Sequence, residues 1–134
     1  MLVPALLATS LLFGGMVLYS FGFAAFLFTA LPANVAGPTI RRAFPHFYMF
    51  VMLSAAAAAG LVWVYDAVAA GLLALIAVTT LPARQMLMPA INRATDEGAK
   101  ARFKWLHGLS VAITVVHIAL AGLAMTRFLA TGLT

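Results

Sequence analysis

The sequence predicts an all-α integral membrane protein, a four-helix bundle with both termini on the non-cytoplasmic side. Three observations carry this expectation. Hydrophobic residues fill 65% of the 134 positions and charged residues only 8%, against roughly half and a quarter in water-soluble domains. Four runs lack any charged side chain: 1–40, 43–65, 67–83 and 105–126. A helix needs roughly 20 apolar residues, and about 17 at the least, to cross the hydrocarbon core. Finally, Arg41, Arg42, Arg84, Arg93, Lys100, Arg102 and Lys104 all fall in or beside the first and third connections, and only Arg127 falls on the other side. That asymmetry puts loops 1 and 3 in the cytoplasm under the positive-inside rule.

Helix 1 is expected over about 4–30. No Lys or Arg precedes its apolar run, so it lacks the basic n-region of a cleavable signal and reads as a retained helix. The following stretch, 31–45, holds Pro32, Gly37, Pro38 and Pro45, which argue against one continuous helix there. Helix 2 is expected over 46–65 and helix 3 over 68–88, joined by a tight hairpin at Tyr65-Asp66. Trp63 and Tyr65 stand where an aromatic belt belongs, and Trp105 marks the opposite surface. The stretch 89–103 alone has a solution-like composition. Within it, Thr95 or Asp96 could cap a helix leading through Lys100 and Arg102 into helix 4, expected over 104–130. Thr29-Ala30-Leu31-Pro32-Ala33 faintly echoes Thr79-Thr80-Leu81-Pro82-Ala83. In so apolar a sequence, chance similarity explains the echo better than a parallel repeat.

Composition also narrows the chemistry. Cysteine is absent, which removes disulfides, thiolate metal sites and redox thiols. The net charge of +5 sits beside apolar segments, so it reads as topology signal and phospholipid contact rather than as a nucleic-acid surface. The carboxylates are Asp66, Asp96 and Glu97. Adjacent helical residues point about 100° apart, so the last two make a poor acid/base pair. With no phosphate-cradling glycine loop either, enzyme activity is not expected.

Helix 4 holds the most informative polar pattern. His107, Ser110, Thr114 and His117 fall on one face at helical spacing. Lipid cannot satisfy such a stripe, so it should face the bundle. Interhelical hydrogen bonds to groups such as Ser54 or Thr79 are the plainer reading, and a polar pathway or cofactor site the sharper one. His46 and His107 could share a depth on helices 2 and 4, as a bis-histidine haem requires, but no motif supports haem and no cofactor is expected. Met49, Met52, Met86 and Met88 lack the paired repeats of a copper transporter and read as packing residues.

Small residues point to close helix contact. Ser10 with Gly14, Gly15 with Gly22, and Ala56 with Gly60 are spaced for it. They favour a tight bundle, self-association, or docking onto other membrane protein subunits.

Three islands give the chain a family likeness. The first is Leu31-Pro32 followed by Phe44-Pro45 and Phe47-Tyr48. The second is Ala83-Arg84 with Pro89 and Asn92. The third is Phe103-Lys104-Trp105-Leu106-His107-Gly108-Leu109-Ser110. Together they resemble the transmembrane-protein-205-like family, whose bacterial members are small membrane proteins without an assigned function. The resemblance implies a four-helix membrane protein. His107 and Ser110 match its third island, whereas His117 lies outside it.

The expected function is a non-enzymatic membrane protein, an accessory or scaffold component of a larger assembly in a bacterial inner membrane. A small transporter using the polar face of helix 4 is the alternative. A haem-, quinone- or pigment-associated redox component comes third.

Overall fold

In lipid the backbone has only itself to hydrogen-bond, so long uncharged runs must become helix. The computed structural model describes residues 2–130. They form four helices, α1 Leu2–Ala30, α2 Ala33–Val62, α3 Ala67–Asp96 and α4 Lys100–Ala130, with no strand among the described residues. Each is long and apolar enough to cross a membrane. The main contacts run α1 with α2, α2 with α3, α3 with α4, and α4 back to α1. The helices thus close a ring in chain order.

Alanines bring the backbones together. Ala5, Ala55, Ala58, Ala69, Ala121 and Ala124 are fully buried and come from all four helices, while Leu12, Met16, Val51, Leu73, Ile76 and Phe128 fill the space between. Small interfacial residues allow the close approach on which helix packing in lipid depends. Large apolar side chains such as Leu7, Leu53, Val78 and Leu129 cover the outside. A water-soluble monomer rarely exposes apolar patches beyond a few hundred Å².

Both expected long loops are largely helix. Only Leu31 and Pro32 interrupt the chain between α1 and α2. Leu31 is extended, as the residue before proline tends to be. From Ala33, α2 runs through Pro38 and Pro45. Each proline removes one backbone donor, but neighbouring helices hold the segment. The Tyr19 hydroxyl donates to the Ala43 carbonyl at 2.9 Å, and Arg84 Nε donates to the Pro45 carbonyl at 3.3 Å. Prolines persist in membrane helices where such partners exist.

The stretch 89–103 likewise continues α3 as far as Asp96. Gly98, at φ +67°, closes the turn, with Ala99 N–H donating to the Ala94 carbonyl at 2.9 Å, a glycine-terminated helix end. Neither Thr95 nor Asp96 caps α4. The Thr95 hydroxyl donates to Ile91 within α3, and Asp96 pairs with Arg41.

Two wide π-type turns interrupt the helices, at Leu18–Phe23 in α1 and Ala83–Leu87 in α3, the second directly after Pro82. The two halves of the sequence echo therefore differ: Leu31-Pro32 ends a helix, whereas Leu81-Pro82 lies inside one. The hairpin at Tyr65-Asp66 is tight, with only residues 63–66 between α2 and α3. Trp63 and Tyr65 are exposed at that end and Trp105 at the other, where membrane-interface aromatics belong.

Candidate functional site

The helices are longer than a bilayer requires. About 30 residues at 1.5 Å each give roughly 45 Å, against a hydrocarbon core of about 30 Å. The surplus of α2, α3 and α4 carries the basic residues, and there the ring opens. A cavity of about 690 Å³ lies among all four helices, lined by Phe28 of α1, Arg41 and Arg42 of α2, Asn92 and Asp96 of α3, and His107 of α4. Arg41 Nη2 donates to Asp96 Oδ1 at 3.0 Å and to the Asn92 carbonyl at 3.3 Å. His107 is exposed and stacks flat on Phe103, centroids 5.5 Å apart.

The other predicted basic residues take separate places. Arg84 reaches across to Pro45 and also donates to Gln85. Arg102 pairs with Glu97. With Arg93 and Trp105 they line a second cavity, of about 700 Å³, between α3 and α4. Lys100 and Lys104 are exposed. All three carboxylates of the chain are paired, each with one arginine. The net +5 is therefore carried by Arg42, Arg84, Arg93, Lys100 and Lys104, all at one end.

The opposite end holds a different ion pair. Arg127 Nε donates to Asp66 Oδ2 at 2.8 Å and Nη2 to Oδ1 at 3.0 Å. Oδ1 also accepts from Val68 and Ala69 N–H at 3.0 and 3.1 Å, capping α3. The Asp66 side chain is only 4% exposed against 42% for Arg127. Hydrogen bonding from Arg127 outweighs this burial, and with the help of the two backbone donors it holds the Asp66 carboxyl below its ordinary value of 3.8.

The polar stripe of α4 divides. His117 is buried, Ser110 and Thr114 are half-buried, and His107 is exposed. His117 Nε2 lies 2.8 Å from Thr79 Oγ1, whose own proton goes to the Leu75 carbonyl at 2.6 Å. With its proton so placed, the Thr79 oxygen can accept from the Nε2–H tautomer of His117. Thr114 donates to the Ser110 carbonyl at 3.1 Å, and Tyr48 of α2 reaches across the ring to the Ser110 side chain. Ser54 bonds back to Phe50 within its own helix.

His46 and His107 are not brought together. His46 lines an apolar groove between α1 and α2, and His107 lines the basic cavity. The small-residue pairs also separate. A Cβ on Gly15 would fall 2.6 Å from the Phe50 ring, and one on Gly22 would fall 3.2 Å from Leu18 of the same helix. One on Gly14 or Gly60 would meet nothing within 4 Å. Ser10 is half-buried and Ala56 exposed, while Ala55 and Ala58 make the helix contact.

Neither long-range ion pair was visible as a motif, since the partners lie 55 and 61 residues apart. One signal pointed to the second: Asp66 and Arg127 are the sole charged residues of their end.

Comparison with curated proteins gives no match, and comparison with solved structures gives none either. A family model described as a domain of unknown function, DUF4149, matches residues 7–100. The matched segment takes in nearly all of α1, the whole of α2 and α3, and hence the Arg41–Asp96 pair, but not the polar stripe of α4. With well over half its length covered and three of its four helices included, the chain belongs to the DUF4149 family.

Proposed function

We infer that the chain is a non-enzymatic integral membrane protein, an accessory or scaffold component of a larger membrane assembly. The basic end would face the cytoplasm of a bacterium and the helices would lie in its inner membrane. One observation carries this reading: the acidic side chains and the buried His117 find their partners within the chain, while smooth positions face outward. All three carboxylates are engaged in ion pairs, and His117 is held by Thr79. Outside, a Cβ at Gly14, Gly60, Gly71 or Gly108 would meet open space, where another helix could approach closely. The likeness of the three islands to transmembrane-protein-205-like proteins fits a small four-helix membrane protein.

The test is a mild-detergent purification of tagged protein, resolved on a native gel with mass spectrometry of the band. A large band with stoichiometric companions is expected, and substitution of Gly14 and Gly60 by Leu should release them. A small band holding this chain alone in fresh native membranes would overturn the reading.

A second reading, a small transporter, draws on the cavity that all four helices line at the basic end. It requires that substituting His107 and Ser110 abolish flux without loss of assembly. Unchanged flux would remove it.

A further inference from the structure

The groove between α1 and α2 does not enter the proposed function. It has a volume of about 670 Å³ and is lined by Gly15, Tyr19, Phe23 and Phe26 on one side and Phe47 and Phe50 on the other. The widened turn at Leu18–Phe23 falls within it. Its polar side chains are Tyr19, whose hydroxyl is turned away to the Ala43 carbonyl, and His46, which stands at the end nearest Arg42. The walls are otherwise apolar and aromatic, and the size is that of a small-molecule site.

The groove and the basic cavity lie along one stripe of α2. Pro38, Arg42, His46 and Phe50 recur every four residues, which stacks them on one helix face. The first two line the basic cavity and the last two the groove. Arg42 thus stands about one helical turn, roughly 5 Å, beyond His46. Its neighbour Arg41 is neutralised by Asp96. Arg42 has no carboxylate partner among the described residues, since Asp66, Asp96 and Glu97 pair elsewhere.

We propose that this seam holds one anionic phospholipid, its acyl chain in the aromatic groove and its phosphate on Arg42. An apolar slot inside the bilayer takes a chain, and an uncompensated guanidinium at its mouth takes a phosphate by charge-assisted hydrogen bonds. The uncompensated charge of Arg42 disfavours a headgroup that carries an ammonium next to its phosphate. The inference is independent of whether protein partners exist.

The test is native mass spectrometry of the full chain released from vesicles with equal amounts of phosphatidylglycerol and phosphatidylcholine. One phosphatidylglycerol per chain should be retained, with a preference of about fivefold, since both lipids offer Arg42 a phosphate and only phosphatidylcholine sets an ammonium beside it. Arg42→Gln should bring the two lipids to parity, Arg42→Lys should keep most of the preference, and Lys104→Gln should keep all of it. Gly22→Trp, which fills the groove, should reduce retention of both lipids. A melting curve in the same detergent confirms that each variant is folded. Equal retention of both lipids by the wild type, or the same preference in Arg42→Gln, overturns the proposal. So does release of the lipid by excess inorganic phosphate, which would mark a soluble-anion site.

Discussion

Asp66 and Arg127 face each other at the end away from the basic cavity, joined by two hydrogen bonds of 2.8 and 3.0 Å. The pair ties the α2–α3 hairpin to the end of α4, and the same carboxylate caps α3.

The first prediction follows from protonation. The folded carboxyl titrates below its ordinary value of 3.8. It adds stability that is fully present above that value and is lost as pH falls through the lower folded one. Melting temperature in detergent should show a Asp66-dependent fall below about pH 4. Asp66→Asn should flatten that fall while keeping the cap, and Asp66→Ala should lose about 1 kcal/mol more than Asn. An unchanged acid profile in Asp66→Asn would assign it to other groups.

Gly15 should be the most sensitive glycine of α1. A Cβ there would lie 2.6 and 2.7 Å from two atoms of the Phe50 ring. Gly15→Ala should cost about 1–3 kcal/mol as the ring is forced aside. Gly14→Ala and Gly60→Ala, with open space at Cβ, should cost nothing in the isolated chain. Thermal melts of the three variants decide this, and equal losses would refute it.

A double-mutant cycle should find His117 and Thr79 coupled. Interhelical hydrogen bonds in membranes contribute about 0.6 kcal/mol on average, and up to about 1.7. The coupling should lie in that range. His107→Ala, at an exposed position, should leave stability unchanged. Zero coupling for the first pair would show that Thr79 is satisfied by Leu75 alone.

The natural lack of cysteine makes topology directly measurable. A single cysteine at Gly98 and another at Val64 should be labelled by an impermeant thiol reagent from opposite sides. In spheroplasts only position 64 should react. Reaction at 98 instead would invert the orientation argued from the basic residues.

The helical class was legible because apolar run length is a local property, and so was the hairpin, where Asp66 interrupts the third and second runs. The helix through 33–45 is not legible, because proline reads locally as a breaker. Its cost there is met by Tyr19 and Arg84, which approach from other helices and leave no mark near Pro45. The stripe on α4 is legible as a periodicity, and Thr79 is among the partners that the sequence suggests for it. That His107 is exposed is not, because the same periodicity continues into the part of α4 that carries the basic residues and lines the basic cavity. Gly14 and Gly15 are adjacent, and spacing alone gave no way to know that only the second meets a neighbour.

The charge arrangement has an electrical consequence. With Arg127 offset by Asp66 and the whole +5 carried at the other end, the molecule is a polarised rod whose two poles differ by five elementary charges. Moving one charge through a 100 mV potential is worth about 2.3 kcal/mol. Dragging the charged pole against such a field would oppose inversion by roughly 11 kcal/mol on that count alone. With the basic end on the negative side of an energised membrane, as proposed, the voltage would hold the bundle in one direction, and anything docked on it would inherit a fixed sense of inside and outside.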